Sequence, residues 1–320
     1  MNEKIYVKII VSCIFAAVLV LFGLIKCLPE SWYMDGEYPY WMEQKDHVME
    51  DGQKQEILLL GDSRMKMDLL AYELSDDAYN IALGGGSPIE MYYAMKNYLE
   101  HHPVPKAVFI AFGPIHYQEP ECYLTRNVYF HYLDNDTIDE ANRVIKENGG
   151  KDFSADSTPY QYRLPSAYLK PVVKSLIKPR TQENLAVYQK AREHRGQMFG
   201  RDKSMETVYT PETKFESFVC ADYLDYYMKS LIELCLENKI PIYIEQMPMG
   251  NPGYQKLADK GYLDAYEQYM ETLEDEYHIP VNKKIPVCPA GDFQDNSHLN
   301  EEGARKFTRQ FKEKYENVFR

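Results

Sequence analysis

Three short segments of the chain carry residue types that could perform acyl transfer. Residues 61–64 (GDSR) offer a serine hydroxyl, which is a weak nucleophile until a neighbouring base removes its proton. Residues 80–86 (NIALGGG) end in three glycines, whose backbone can approach a ligand closely. Residues 295–298 (DNSH) space a carboxylate and an imidazole so that the aspartate can orient the histidine. The set supplies a nucleophile, a loop of backbone amides and a base.

Each segment also has a plain structural alternative. Ser63 could merely cap a helix, since serine is a favoured N-cap residue. The glycines could form an ordinary tight turn, and Asp-x-x-His is short enough to occur by chance. The three segments can form one reactive site only if the predicted strands and helices bring them together.

Four short apolar runs predict the strands of a sheet. Nearly continuous apolar strands are typical of a parallel sheet that is covered on both faces. The runs are 56–60 (EILLL), 79–83 (YNIAL), 107–112 (AVFIAF) and 240–244 (IPIYI). Helical patterns follow from 87 to about 100, from 224 to 235, from 263 to 277 and from 300 to about 315, and the first opens with a capping box. Alternating strands and helices predict a doubly wound α/β layer.

This layer places the three segments at one edge. Ser63 follows the first strand directly and lies on a strand-to-helix turn, at the carboxyl edge where open α/β sheets bind ligands. The glycine loop follows the second strand, and the segment 295–298 precedes the last helix. Residues of about 117–220 interrupt the rhythm, and a stretch of that length predicts an insertion with its own helices.

In this order and position, the three segments resemble those of the SGNH (GDSL) hydrolase superfamily. The resemblance covers residues of about 56–315 apart from the insertion. It implies a three-layer α/β/α sandwich in which Ser63 is the nucleophile, His298 is the general base and then acid, and Asp295 orients the imidazole. It also implies that the amide of Gly85 joins that of Ser63 in an oxyanion hole, and that Asp62 is structural.

The chain departs from the family after the third strand. The family usually has Gly-x-Asn-Asp there, and the asparagine side chain is an oxyanion donor. Residues 113–117 read GPIHY, so Ile115 stands where the asparagine belongs and cannot donate. Loss of one such donor typically lowers turnover by about 10²- to 10³-fold. We expect His116 or Tyr117 to take its place, with Arg64 as a further substrate-binding residue.

The N-terminus predicts one transmembrane helix. Residues 9–25 (IIVSCIFAAVLVLFGLI) carry no charge and reach the lower end of the length that spans a bilayer. No small-x-small cleavage site of a signal peptide follows them. Lys4 and Lys8 precede the run, and acidic residues follow Lys26, so the lysine bias predicts a cytoplasmic N-terminus and an external domain. We divide the chain into an anchor (1–28), a juxtamembrane linker (29–54) and a catalytic domain (55–320).

Aromatic residues and cysteines leave alternatives open. Trp32 and Trp41 follow the apolar run and fit either an aromatic belt at the outer interface or a linker packed on the domain. Tyrosines 92, 93, 98, 117, 123, 129 and 132 could stack on sugar rings, although core packing is the better interpretation. The six cysteines show no C-x-x-C spacing and are compatible with two disulfides or with buried thiols.

Charge and motif content exclude several classes of function. The chain has a formal net charge of −13 and no basic patch, which argues against nucleic acid as a partner. Lys4, Lys8 and Lys26 against Glu3 give residues 1–28 a charge of +2, which leaves −15 for the rest. No motif indicates a metal, a nucleotide or another cofactor.

The anchor, the missing asparagine and the endings of the motifs resemble one branch of the superfamily. This branch comprises membrane-anchored SGNH proteins of bacterial envelope modification, such as the D-alanyl transfer protein of teichoic-acid decoration and the polysaccharide O-acetylation proteins. The resemblance implies an esterase or O-acyltransferase that acts on an acylated envelope glycan or its acyl carrier. It also suggests a membrane-bound O-acyltransferase as partner, and the alternative is a catalytically weak glycan-binding or scaffolding partner of such an enzyme.

Overall fold

The computed structural model describes residues 3–120 and 122–320. Its helices are α1 (Glu3–Cys27), α2 (Glu30–Tyr33), α3 (Tyr38–Met49), α4 (Ser63–Asp68), α5 (Ala71–Leu74), α6 (Pro88–His101), α7 (Asn135–Glu147), α8 (Ser154–Gln161), α9 (Pro165–Ile177), α10 (Thr181–Glu193), α11 (Asp222–Glu237), α12 (Asn251–Asp259), α13 (Tyr262–Tyr277), α14 (Glu301–Lys314) and α15 (Glu316–Phe319). Its strands are β1 (Ile57–Gly61), β2 (Ala78–Asn80), β3 (Ala107–Ala111), β4 (Ile242–Ile244), β5 (Met249–Gly250) and β6 (Val287–Cys288).

The first four strands form one parallel sheet in the order β2-β1-β3-β4. Leu59 of β1 pairs with Asn80 on one side and with Phe109 on the other. β5 and β6 form a separate parallel pair. The prediction of a mixed α/β fold with a parallel sheet is confirmed.

Helices cover the sheet on both faces because alternate strand residues point to opposite sides. Leu58, Leu60 and Ile110 belong to one buried cluster, which also contains apolar residues of α6, α11 and α13. Leu59 and Phe109 belong to a second cluster, with residues of α4, α5 and α14. β1 and β3 carry no polar side chain, as their sequence runs predict, whereas β2 ends at the buried Asn80 and residues 81–83 of its predicted run lie beyond the strand.

Met67, Leu70 and Leu74 recur at helical spacing, but the helix after β1 is shorter than this pattern predicts. α4 ends at Asp68 because the backbone there is bonded by side chains rather than by a further helical turn. The Asn80 Nδ2 donates to the Met65 and Leu69 carbonyls, and the Leu70 amide donates to Thr308 Oγ1 at 3.0 Å. A short second helix, α5, then completes the predicted pattern.

The long insertion lies where the break in the strand and helix rhythm predicts it. Its described residues, 117–120 and 122–220, contain α7 to α10 and no strand. Most tyrosines of the cluster near its start are buried, so core packing describes them better than an exposed sugar platform does. The buried members are Tyr93, Tyr98, Tyr117, Tyr123 and Tyr132. No disulfide bond joins any pair of cysteines among the described residues.

The N-terminal helix α1 includes Lys4–Cys27, which is long and apolar enough to cross a membrane. Residues 29–54 differ from the expected linker, since they form α2 and α3 and pack on the domain. Trp41 of α3 is fully buried against Phe130 and Tyr132. The aromatic-belt interpretation is therefore wrong for Trp41, whose indole joins the protein core.

Candidate active site

Ser63 is the first residue of α4, and its neighbour Asp62 fixes the turn that leads to it. One oxygen of the Asp62 carboxylate accepts the Arg64 amide at 2.8 Å, which caps the helix. The other oxygen accepts the Gly113 amide at 2.7 Å and so ties the end of β1 to the end of β3. Asp62 is fully buried and has the structural position expected of it.

The structure brings Ser63, Asp295 and His298 together although Asp295 and His298 follow the serine by 232 and 235 positions. His298 Nε2 lies 2.7 Å from Ser63 Oγ, and His298 Nδ1 lies 3.0 Å from both carboxylate oxygens of Asp295. Both contacts are within hydrogen-bond reach, so the imidazole contacts the serine hydroxyl and is itself oriented by a carboxylate, which is the geometry that a serine nucleophile and its base require. Asp295 Oδ1 also accepts the His298 amide at 2.9 Å, which holds the short loop in shape.

The charges around His298 favour its protonated form. Burial alone would lower the pKa of the imidazole, but the hydrogen bond that His298 donates to Asp295 and the charges of Asp68 and Asp295 raise the pKa above its usual value. Burial opposes ionisation of Asp295 too, yet the hydrogen bond and charge of His298 lower the pKa of that carboxyl to about 2. The pair therefore stabilises an imidazolium at His298 beside the ionised Asp295.

Asp68 is a second carboxylate close to His298 that the motifs do not reveal. It ends α4, is fully buried, and accepts the Leu299 amide at 2.9 Å through one oxygen. The other oxygen has no partner among the described residues. Burial raises the pKa of Asp68 to about 7, against the opposing charge of His298. Asp68 therefore positions the loop next to His298 and adds a titratable charge behind the imidazole.

Two backbone amides are placed to bind an oxyanion. Ser63 begins a helix, and Gly85 lies in the glycine loop at φ +68°, a left-handed conformation that favours glycine. Neither amide donates to another group among the described residues. A Cβ on Gly85 would meet the Cys122 sulfur at 2.3 Å, so the loop has room only for glycine. Both residues line the same cavity as His298.

The third block of the motif contributes no side-chain donor at this cavity. Ile115 lines it. His116 also lines the cavity, but its Nε2 lies 3.2 Å from Asp62, and its Nδ1 is buried without a partner among the described residues. Because Nε2 faces Asp62 and Nδ1 is buried, we assign His116 no donor role in the cavity.

The expectation for Tyr117 is corrected by its burial. Its side chain is fully buried and packs edge-on against Phe112 and Tyr269. Tyr117 does not line the cavity that contains Ser63 and His298. Its apolar ring fills the core beneath the third block, so its hydroxyl is not available to a substrate in that cavity.

Arg64 is the cation that lies where the third block is deficient. A Cβ on Gly113 would come within 2.9 Å of both Cζ and Nη1 of its guanidinium. Nη2 is held by both carboxylate oxygens of Glu212, at 2.6 and 2.8 Å, and by Thr210 Oγ1 at 3.2 Å. Nη1 donates to no group among the described residues, and Arg64 lines the cavity. The guanidinium is therefore clamped on one side and open on the other.

The cavity that contains Ser63 has a volume of about 330 Å³. Part of its lining comes from segments that carry no recognisable sequence motif. Glu37 lies in the expected linker, and Arg126 and Lys214 lie in the insertion. Burial raises the pKa of the Glu37 carboxyl, although the charge of Arg126 opposes the shift. Only the short distance between these segments in the folded chain reveals their role.

One further cluster joins residues that could ligate a cation. The side-chain ligand atoms of His47, Glu56 and His102 lie within 4.8 Å of one another. Glu56 precedes β1 whereas Ser63 follows it, so this cluster is at the opposite edge of the sheet from the triad. It is held by protein contacts alone, including a 2.9 Å bond between His47 Nε2 and Glu56. It has no role in the geometry around Ser63.

Comparisons with known proteins add no family assignment. No protein-family model matches the chain, and no curated protein matches it significantly. The geometry around Ser63 and His298 is therefore the basis for a proposed function.

Proposed function

We propose that the chain is a membrane-anchored serine esterase or O-acyltransferase of the SGNH type. The observation that carries the proposal is the continuous hydrogen-bonded series from Ser63 through His298 to Asp295 at the carboxyl edge of a parallel sheet. A three-layer α/β/α sandwich of the SGNH type agrees with helices on both faces of that sheet.

The proposed reaction proceeds through an acyl-enzyme. Ser63 Oγ attacks the acyl carbonyl while its proton passes to His298 Nε2, and the carbonyl oxygen becomes an oxyanion. When the tetrahedral intermediate collapses, the ester C–O bond breaks and His298 returns the proton to the departing alcohol. Water or a glycan hydroxyl then loses its proton to His298 and attacks the acyl-serine, and the proton finally returns to Ser63 Oγ. Water as acceptor gives hydrolysis, and a hydroxyl gives transfer.

We assign the oxyanion to the amides of Ser63 and Gly85 and to Nη1 of Arg64. A charged donor is stronger than the neutral amide that the family usually has at the third position. The bond to Glu212 keeps the guanidinium oriented, so little reorganisation is needed when the oxyanion forms. This assignment replaces the earlier expectation for His116 and Tyr117.

The proposed location is the outer face of a cell membrane, with the N-terminus in the cytoplasm. The length and apolar character of Lys4–Cys27 support an anchor, and the lysine bias supports this orientation. The substrates proposed from the resemblance are acetyl or D-alanyl groups of an envelope polysaccharide or of its carrier. A membrane-bound O-acyltransferase is the proposed partner.

The direct test uses the full chain in detergent micelles. A fluorophosphonate probe is expected to label the wild type and not Ser63→Ala, and acetate-ester turnover is expected to fall at least about 10³-fold in the variant. The matched control is Ser297→Ala, which removes a hydroxyl from the same cavity and keeps the backbone amide that donates to Asp295. Equal labelling and turnover in wild type and Ser63→Ala would refute the assignment.

A second candidate function is that of a catalytically weak scaffold for a membrane acyltransferase. It is favoured by Ile115, which lines the cavity in place of a side-chain donor. In cells, a scaffold would support envelope acylation equally well with Ser63→Ala and would lose it only on deletion of the chain. Loss of acylation in the point variant, at unchanged protein level, would reject this candidate.

A further inference from the structure

Helix α9 in the insertion presents apolar side chains to solvent. Leu169, Val173, Leu176 and Ile177 are 38, 48, 69 and 88% exposed. At about 100° per residue, their spacing confines them to one arc of roughly 100° on the helix. A separate arc, centred about 120° around the helix, carries the buried residues Tyr168, Val172 and Ser175, which hold α9 on the domain. The exposed arc is therefore a second apolar face that no described part of the chain covers.

A row of lysines borders this apolar face. Lys170, Lys174 and Lys178 follow the exposed apolar residues around the helix and are themselves exposed. None of the three forms an ion pair with any described residue. Residues 157–182 contain no acidic residue, although the chain as a whole carries a net charge of −13. This concentration of uncompensated positive charge beside apolar side chains is the pattern of an interfacial helix.

The same helix contacts α1, the candidate membrane span. Ile25, near the end of α1, is buried in the cluster that contains Tyr168 and Val172 of α9. A helix of 24 residues is about 36 Å long, whereas the hydrocarbon core of a bilayer is about 30 Å thick. The last turn of the span therefore lies at the membrane surface, and α9 lies beside it.

Polar contacts at both ends of α9 fix this arrangement. Arg163, just before α9, pairs with Glu30, which also binds His131 and Tyr38. Just after α9, the Arg180 amide donates to the Trp32 carbonyl at 3.0 Å. Burial opposes ionisation of Glu30, but His131 and Arg163 lower the pKa of its carboxyl. The helix is thus bound to the residues that leave the span and cannot turn its apolar face away independently.

We propose that α9 lies in the plane of the bilayer that α1 spans, with its apolar face in the acyl boundary and its lysines on anionic headgroups. The proposal depends on α1 as a membrane span and is independent of the reaction at Ser63. A second copy of the chain is a poor occupant, because two such faces would bring two rows of lysines together. An anionic lipid surface matches both the apolar residues and the charge.

The test places a photoreactive benzoylphenylalanine at single positions of the full chain in nanodiscs of phosphatidylcholine with a minority of phosphatidylglycerol. Position 177 is expected to form a phospholipid adduct that mass spectrometry detects. Position 219, an exposed valine outside α9, is the matched control and is expected to form none. Position 18, on the exposed surface of α1, is the positive control for the span.

The lysines are tested with the label kept at position 177. A lysine near an anionic surface favours binding by a factor of roughly five, so Lys170, Lys174 and Lys178 changed together to Gln should reduce the adduct by about tenfold or more. The matched variant changes Lys203, Lys239 and Lys256 together to Gln. These three lysines are exposed and form no ion pair with a described residue, so the amount of lipid adduct at position 177 should stay unchanged.

Three outcomes would overturn the proposal in different ways. A lipid adduct at position 18 without one at 177 would show that α9 does not contact the bilayer. A cross-link from 177 to a second copy of the chain would replace the membrane by a protein interface. Absence of lipid adducts at both positions would show that α1 does not span the bilayer. None of these results would affect the labelling of Ser63 by the fluorophosphonate probe.

Discussion

The raised pKa of the buried Asp68 carboxyl leads to a quantitative prediction about the free energy of unfolding. Burial raises its pKa to about 7, whereas an unfolded aspartate titrates near about 3.9. Between these two values the folded state holds one more proton than the unfolded state. The stabilising effect of the protonated group is present at low pH and is lost as the pH rises through about 7. Asp68→Asn removes this titration.

The magnitude follows from the width of the interval. One proton of difference changes the free energy of unfolding by about 1.4 kcal/mol per pH unit, so wild type should lose about 2 to 3 kcal/mol relative to Asp68→Asn between pH 5 and pH 7. Any fixed cost of the amide, such as its unpartnered N–H groups, is the same at both pH values and cancels from this difference. No discount for solvent screening is needed, because Asp68 is fully buried.

Urea denaturation of the full chain in detergent micelles measures the effect, with the fluorescence of the buried Trp41 as the signal. The difference in unfolding free energy between Asp68→Asn and wild type is expected to increase from pH 5 to pH 7. The control is Asp202→Asn, which changes an exposed aspartate that forms no ion pair with a described residue. Parallel pH dependence of wild type and Asp68→Asn would refute a raised pKa at Asp68.

Three further predictions concern activity. Asp68→Asn removes a negative charge that raises the pKa of His298, so the acid limb of the kcat/KM profile should move to lower pH. An unchanged acid limb would contradict an electrostatic interaction between Asp68 and His298. Arg64→Lys keeps a cation beside Glu212 but has no equivalent of Nη1, so kcat for an acetate ester should fall about 10²-fold, and unchanged kcat would remove Arg64 from the oxyanion site. Gly85→Ala should abolish most turnover, because the added Cβ would lie 2.3 Å from the Cys122 sulfur. The control is Gly261→Ala, which has a similar φ of +69° and open space around it. It should lower the free energy of unfolding by only about 1 to 2 kcal/mol and leave turnover unchanged.

The sheet was predictable because its signals are local. The apolar runs that form β1 and β3 are bounded by polar or glycine residues, and burial on both faces makes such runs continuous. The capping box at Ser87 and Glu90 predicts the start of α6, and both of its hydrogen bonds are present. The position of Ser63 at the end of β1 follows from the same local pattern.

Other parts of the site were not predictable because their partners are distant in sequence. The Arg64 and Glu212 pair joins residues 148 positions apart, and no motif surrounds Glu212. Asp68 gives no signal, since its raised pKa comes from burial that only the folded chain creates. The expectation for Tyr117 failed for a related reason, because an aromatic residue next to a motif has the same sequence signature whether it faces a cavity or the core.

The cavity wall formed by residues 29–54 links the candidate site to the membrane anchor. Glu37 lines the cavity that contains Ser63, and it lies between α2, which follows the span, and α3, which carries the buried Trp41. The sheet and the triad could form without these residues, but the cavity would then be open on that side. Since α2 and α3 also bind α10 of the insertion, the segment expected to be a linker belongs to the folded domain. The folded unit that contains the candidate site therefore begins at Glu30 rather than at residue 55, and the position of its cavity is fixed relative to the point where α1 ends.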